Sequence, residues 1–146
     1  MKTWLRFAVL ILIATACSSS GKIKEEVVKE FTDGTPQQVN SYQIKSDTQI
    51  LISEKTFYKN GQLRSEGSFS EGEKRHGKWI FWYEDGKVWS EGTYENGEEN
   101  GMKISYYPSG TKRFEGKSQK GKRVGMWLFY DEAGNIVLEL DYDKKN

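Results

Sequence analysis

The sequence predicts an all-β protein built as an elongated, single-layer antiparallel sheet of repeated β-hairpins. Three observations lead to this prediction. Fourteen of the fifteen glycines recur in register every 24 to 25 residues, aromatic residues keep the same step, and the segments between them alternate apolar with polar side chains. The composition agrees, since 14% aromatic residues and only two prolines suit neither a disordered chain nor a helix bundle.

The first sixteen residues have the pattern of a secretion signal. Lys2 and Arg6 form a positive start, an apolar stretch follows, and small residues lead up to Ala16. The apolar stretch is about ten residues long, half of the ~20 that a membrane-spanning helix needs. We therefore interpret residues 1–16 as a signal peptide that is cleaved between Ala16 and Cys17.

The only cysteine, Cys17, directly follows this stretch, and the segment that ends in it resembles the lipobox of bacterial lipoproteins. That resemblance implies a diacylglyceryl group and an N-terminal acyl chain such as palmitate on Cys17, which together give stable membrane anchoring. It also implies a bacterial cell-envelope protein, with Ser18 favouring the outer over the inner membrane. Residues 17–24 would then form the acylated cysteine and a flexible tether. An ordinary cleaved signal peptide with a chance cysteine is the alternative.

The glycines and several other residues form columns when the chain is written at the repeat length. The four glycine columns are Gly61, Gly86, Gly110 and Gly134, with Gly34 as an early member; Gly67, Gly92 and Gly116; Gly72, Gly97 and Gly121; and Gly77, Gly101 and Gly125. Glutamates and aromatic residues keep the same step: Glu66, Glu91, Glu115 and Glu139; Phe57, Trp82, Tyr106 and Tyr130. Such self-similarity predicts a repeat array over residues 57–146.

Each repeat unit reads as one hairpin. After Gly61, strict alternation places Leu63 and Ser65 on one face of a strand and Arg64 and Glu66 on the other. Aromatic and β-branched segments at 78–83, 102–107 and 126–131 predict the partner strands. The short turns KNG, EDG, PSG and EAG join the strands, and their glycine is expected in the left-handed conformation after a type I turn.

Residues 25–56 read as a degenerate opening repeat that caps the array. The spacing from Gly34 to Tyr42 equals the spacing from Gly86 to Tyr94. A return strand is expected from about Gln49. A helix over residues 22–31 is the competing interpretation, because the sequence EEVVKEF also permits helical spacing of apolar residues.

The units at 65–86, 90–110 and 114–134 resemble MORN-type repeats, which are short glycine- and aromatic-rich hairpins. The variant with tryptophan after the fourth glycine, as at Trp79 and Trp127, is similar to a bacterial subfamily that includes antitoxins of toxin–antitoxin systems. Lys103 takes that place in the middle unit. The resemblance implies a scaffold fold, and for some relatives an antitoxin role.

Several classes of function are opposed by the sequence. One cysteine and one histidine cannot supply a disulfide or a two-histidine metal site, so no metal and no cofactor beyond the lipid is expected. The net charge is +1, and about −1 after loss of Lys2 and Arg6, which opposes nucleic-acid binding. Residues 116–123 differ by one residue from a phosphate-binding loop, but Arg123 replaces the required hydroxyl, so no nucleotide is expected.

The glutamate column is the one candidate for catalysis. Glutamates on every second strand would lie about 9.6 Å apart, too far for a retaining glycosidase pair and near the upper limit for an inverting pair. Lysine and arginine neighbours such as Arg64, Arg113 and Lys78 favour cross-strand ion pairs instead. We therefore expect no enzyme activity, and a carbohydrate-active enzyme stays the third hypothesis.

An aromatic surface is the remaining candidate site. Its six members share one strand parity: Trp79, Phe81, Tyr83, Tyr107, Trp127 and Phe129. An exposed aromatic patch usually marks a binding site, although twist and long lysine and glutamate stems can also shield it. The sequence therefore predicts a non-catalytic envelope scaffold that binds a protein or a saccharide. An edge-paired homodimer is a further possibility, and an antitoxin-like inhibitor of an exported toxin is the alternative.

Overall fold

The structure is a computed structural model that describes residues 21–144, and it contains ten β-strands. They are β1 (Lys22–Glu30), β2 (Pro36–Lys45), β3 (Thr48–Phe57), β4 (Leu63–Ser70), β5 (Lys74–Trp82), β6 (Val88–Glu95), β7 (Glu98–Tyr106), β8 (Lys112–Gln119), β9 (Lys122–Tyr130) and β10 (Ile136–Asp141). The predicted signal peptide, its cleavage site at Ala16 and the lipidation site at Cys17 lie outside the described residues.

All ten strands form one sheet in chain order, and every strand runs antiparallel to its neighbours. The predicted fold class is therefore confirmed. The helical alternative for residues 22–31 is wrong, because β1 pairs with β2 from Lys22 opposite Ile44 to Glu30 opposite Pro36. Tertiary pairing decides the conformation of a segment whose apolar spacing suits both structures.

The turns that contain the first glycine column have the predicted geometry. In the first of them, the Gly61 amide donates to the Tyr58 carbonyl at 3.0 Å and the Tyr58 amide donates to the Gln62 carbonyl at 2.8 Å. The φ angle of Gly61 is +83°, in the left-handed region that favours glycine. The same turn recurs at Gly86, Gly110 and Gly134, so the hairpins β3–β4, β5–β6, β7–β8 and β9–β10 close in the same way.

Trp79 and Trp127 are the buried centre of the sheet, with 0% and 1% of their surface exposed. Each indole lies over a glycine of the preceding strand, Gly67 for Trp79 and Gly116 for Trp127. A Cβ atom at these glycines would lie 2.1 Å and 2.2 Å from the indole ring. The second glycine column therefore provides space for a ring, whereas the first provides a left-handed turn.

The last strand departs from this rule. At the column position occupied by Gly67, Gly92 and Gly116, strand β10 has Leu140, which pairs with Trp127 of the preceding strand. No later strand within residues 21–144 places a tryptophan over that position. A leucine is thus compatible with the end of the array, whereas Gly67 and Gly116, which are followed by a strand with a tryptophan, have no room for a larger side chain.

Substitution of the packing glycines tests this account. We expect Gly67→Ala and Gly116→Ala to lower the free energy of unfolding by about 1–3 kcal/mol, because the new methyl group overlaps a buried indole. Gly92→Ala is the matched control, since the nearest atom there is Cδ of the Lys103 side chain at 3.1 Å. Urea unfolding of the three variants measures the difference. Equal losses in all three would contradict the packing role.

Candidate binding face

The two faces of the sheet carry different chemistry. On one face, Trp79 lies between Gly67 and Gly92 of the neighbouring strands, and we call this the aromatic face. On the other, Ile80 lies between Glu66 and Glu91, and we call this the carboxylate face. The cross-strand register thus separates the aromatic row from the glutamate column.

Rings pack around each buried tryptophan on the aromatic face. Phe69 and Tyr94 lie edge-on to Trp79, with centroids 5.3 Å and 6.4 Å away. Phe114 and Tyr142 lie around Trp127 at 5.9 Å and 6.1 Å. Each indole N–H also donates to a carbonyl, that of Ser68 for Trp79 and that of Lys117 for Trp127, both at 3.0 Å. These contacts satisfy the polar atom and bury the rings.

The six residues predicted as a binding surface do lie along the sheet, but they are not equally available. Trp79 and Trp127 are fully buried and offer no area to a partner. Phe81, Tyr83, Tyr107 and Phe129 are half-buried. The structure brings Trp79 to 6.3 Å from Phe81 and Trp127 to 6.5 Å from Phe129. The exposed part of the surface is therefore smaller than the sequence suggested.

Cationic side chains cover the buried tryptophans. The guanidinium carbon of Arg75 lies 4.2 Å from the Trp79 ring centre, and that of Arg123 lies 4.3 Å from Trp127. Such stacking is worth about 0.5–2 kcal/mol. In the middle unit both partners change: Glu99 replaces the arginine, and the Lys103 ammonium bonds to it at 2.7 Å. An ion pair thus takes the place of the cation–ring pair.

A second row on the aromatic face comes from β-bulges. Each even-numbered strand from β4 to β8 has one extra residue near its start, and these residues are Arg64, Trp89 and Arg113. We call them the bulge row. Trp89 packs against Phe81 and Tyr83 at 6.2 Å and 6.3 Å, and 44% of its surface is exposed.

The two arginines of the bulge row stack on tyrosines at the turns. Arg64 lies 5.9 Å from the Tyr58 ring centre, and Arg113 lies 5.8 Å from Tyr107. Strict alternation predicted Arg64 on the same face as Glu66 and on the face opposite to Ser65. That prediction is wrong, because a bulge breaks the period of two. Recurrence of an arginine or tryptophan two residues before Glu66, Glu91 and Glu115 was the available signal.

The arginines and the glutamate column lie on opposite faces of the sheet, although the Lys103–Glu99 ion pair lies on the aromatic face. All four arginines within residues 21–144 stack on aromatic rings: Arg64, Arg75, Arg113 and Arg123. The ion pairs found in this part of the chain all use lysine. On the carboxylate face, Lys78 pairs with Glu91 at 2.6 Å and Lys112 with Glu115 at 2.8 Å. The aromatic face therefore presents guanidinium groups without carboxylate partners.

Comparison with known proteins assigns the repeats. Residues 52–71, 75–96 and 123–144 match the MORN repeat variant family. Three segments of the chain are therefore similar to MORN repeats. The matched segments cover the hairpins β3–β4, β5–β6 and β9–β10, so one MORN unit is an odd-numbered strand, its turn and the following strand. The β7–β8 unit, in which Lys103 and Glu99 replace the stacked pair, lies outside the matched segments.

Other comparisons add little. No curated protein matches the chain. Among solved structures, the chain is similar to a Glycosylation Associate Protein (Gap123) complex from Streptococcus agalactiae, with 20% sequence identity and a TM-score of 0.42. The match covers 71% of this chain and 20% of that chain, so this protein spans about a fifth of that chain's length.

Hydrogen bonds join successive hairpin units at one end of the hairpins. The phenol hydroxyls of Tyr58, Tyr83 and Tyr107 donate to the carbonyls of Trp82, Tyr106 and Tyr130 in the next unit, at 2.7, 2.7 and 2.8 Å. Burial raises the pKa of Tyr83, and the nearby Arg113 charge opposes that shift. Tyr83 and Tyr107 were predicted as surface residues, but their hydroxyls are used within the sheet. A tyrosine before three successive turns was the missed signal.

At the other end of the hairpins, backbone hydrogen bonds hold two of the connecting loops. The Gly97 amide donates to the Arg75 carbonyl and the Gly121 amide donates to the Glu99 carbonyl, both at 2.9 Å. Gly97 and Gly121 lie in the loops after β6 and β8, so these bonds fix two of the loops between units to the first strand of the preceding unit. The aromatic face is a preorganised platform as a result.

The carboxylate face has ionised glutamates. A hydrogen bond from Lys78, with a further one from Tyr106, lowers the pKa of Glu91 against the opposing effect of burial. Hydrogen bonds from Lys112 and Tyr130 likewise lower the pKa of Glu115. A general acid in a glycosidase needs a raised pKa, so the shifts run opposite to that role.

Two open depressions lie on the carboxylate face. One, of about 550 Å³, is lined by residues that include Met102 and Leu128, and the other, of about 290 Å³, by residues that include Glu66 and Ile80. Within residues 21–144 there is no cluster of three potential metal ligands among His, Cys, Asp and Glu, and no helix that could span a membrane.

Alkaline pH tests the contact between Tyr106 and Glu91. Burial, together with the hydrogen bond to Glu91, raises the pKa of Tyr106 to about 12 from 10.0. The stability this gives is fully present below pH 10 and is lost as pH rises through 12. The free energy of unfolding should therefore fall less steeply between pH 10 and 12 in Tyr106→Phe than in the wild type. An unchanged slope would contradict the raised pKa.

Proposed function

We propose that the protein is a lipid-anchored cell-envelope protein that acts as a non-catalytic binding module through its MORN-repeat sheet. The observation that carries the proposal is the aromatic face, where exposed ring surface and unpaired guanidinium groups lie together on a rigid platform. Tryptophan, tyrosine and arginine provide large contact area at low entropic cost and are enriched in binding surfaces.

The position of the predicted anchor orients this platform. Strand β1 begins at Lys22, five residues after Cys17. A tether of that length reaches at most about 18 Å when fully extended. An acylated Cys17 would therefore hold the β1 end of the sheet close to the membrane and leave β10 as the distal edge.

The distal edge supports a second part of the proposal, an edge-paired homodimer. Strand β10 exposes apolar side chains: Ile136 by 50%, Val137 by 62%, Leu138 by 46% and Leu140 by 39%. Strand β1, the other edge, is protected by charge and carries the Lys24–Glu26 ion pair. Antiparallel pairing of two β10 strands about Leu138 would place Leu140 opposite Ile136 of the second copy. The apolar side chains of β10 would then contact each other and no longer be exposed to solvent.

Membrane fractionation and affinity purification test the anchored binding module. We expect wild-type protein in the membrane fraction with an acyl label, and Cys17→Ser in the soluble or precursor fraction without it. Purification of the wild type from detergent-solubilised envelope should recover a partner in stoichiometric amount. Unchanged membrane association of Cys17→Ser without acyl label would overturn the anchor.

Recovery of no partner, protein or saccharide, would overturn the binding module. The same purification distinguishes the antitoxin-like alternative from the scaffold. A recovered protein that is toxic when exported alone, and harmless together with this chain, would support inhibition of a toxin in place of scaffolding.

Sedimentation tests the edge pairing. The detergent-solubilised wild type should show a concentration-dependent dimer, and Leu138→Lys should shift it to monomer because a charge would lie at the centre of the paired edge. Lys24→Leu, on the opposite edge, is the control and should leave the dimer unchanged. A wild type that stays monomeric at high concentration contradicts the pairing.

A further inference from the structure

The bulge row has a repeating geometry that goes beyond a general binding surface. We propose that Arg64, Trp89 and Arg113 bind a linear anionic polysaccharide along the long axis of the sheet. The inference rests on the proposed function of the sheet as a binding module and names its ligand class. The ligand would carry carboxylate, sulfate or phosphate groups at regular intervals.

Spacing is the first argument. The three residues occupy the same bulge position on β4, β6 and β8, which are separated by one strand each. Two strand spacings are about 9.6 Å, so a cation lies about that far to either side of the central tryptophan. A periodic row of this kind matches a repeating linear polymer laid across the strands.

The central tryptophan is held in place before any ligand arrives. Phe81 meets the Trp89 ring at 76° and Tyr83 meets it at 48°, while 44% of the residue stays exposed. The C–H face of a pyranose ring is apolar and flat enough to pack on such an indole. A preorganised ring loses little conformational entropy on binding, which favours this contact.

The flanking arginines suit anionic groups. A guanidinium presents a planar fork of N–H donors that matches the oxygens of a carboxylate or phosphate. Stacking on Tyr58 and Tyr107 orients Arg64 and Arg113, and both are exposed. Neither forms an ion pair with an acid of the described chain. Their charges are therefore available to a ligand.

The surroundings favour a polymer over a protein or a bilayer. The strongest contacts of a protein partner usually fill desolvated pockets, and both depressions described above open on the carboxylate face. A bilayer surface presents charges that diffuse freely and have no fixed spacing. A flat row with fixed spacing matches a polysaccharide best, and the other two ligands become outcomes of the test.

The experiment measures binding of the full chain in detergent to defined polymers. We expect it to bind dextran sulfate or polygalacturonate, with affinity that falls as salt rises, and to bind neutral dextran at least tenfold more weakly. Trp89→Ala, Arg64→Gln and Arg113→Gln should each weaken binding about tenfold, as the loss of one charge-assisted or stacking contact predicts. Arg113→Lys should fall between Arg113→Gln and the wild type, because it keeps the charge but loses the fork.

Matched variants and probes keep the outcome clear. Lys78→Gln removes one positive charge from the carboxylate face and should leave affinity unchanged. If Trp89→Ala does not fold, the two exposed arginine variants carry the test. Equal affinity for polyglutamate, or for phosphatidylglycerol mixed into the same detergent micelles, would overturn the proposal in favour of a protein or a lipid. Binding to neither anionic polymer, or an equal loss in Lys78→Gln, would also overturn it.

This outcome is separable from failure of the proposed function. A partner recovered from the envelope whose capture does not change in the bulge-row variants would reject the polysaccharide and leave the binding module intact. Absence of any recovered partner together with absence of polymer binding would reject both.

Discussion

A tryptophan can be buried in a single-layer sheet only where the neighbouring strand leaves room for its ring. Trp79 and Trp127 meet that condition because Gly67 and Gly116 lie directly beneath their indoles. The rest of the aromatic face is arranged around these two rings, from the edge-on Phe69 to the indole N–H bonds. A strand glycine loses conformational entropy on folding, and this packing offsets that cost.

The same constraint distributes the charges. A ring buried on one side by glycine still needs cover on the other, and the aliphatic and guanidinium parts of Arg75 and Arg123 provide it. Arginines therefore collect on the aromatic face, while Glu91 and Glu115 of the glutamate column pair with lysines on the opposite face. Segregation of charge on a chain with a net charge of +1 follows from how the sheet is stabilised. A surface with guanidinium groups that have no carboxylate partner is then available without a large overall field.

Much of the fold could be predicted from residue spacing. The glycine columns predicted the hairpins and the left-handed glycines of their turns. Three segments match the MORN repeat variant family, but their bounds are offset from those of the predicted units at 65–86, 90–110 and 114–134. The candidate site was predicted less well. Alternation identified the parity of Phe81 and Phe129 but missed the bulge row, because one inserted residue per strand changes which face a side chain takes. It also could not show that Trp79 and Trp127 are covered.

The sequence by itself determined the repeat length, the hairpin units and the all-β class, since these depend on local turn chemistry and on side-chain period. Only the tertiary structure decided that residues 22–30 form a strand, which of the glycines provide space, and that Arg64, Trp89 and Arg113 share a row. The reason is physical. Strand pairing and bulges are set by the neighbouring strand, and a neighbour some 24 residues away leaves no mark in local composition.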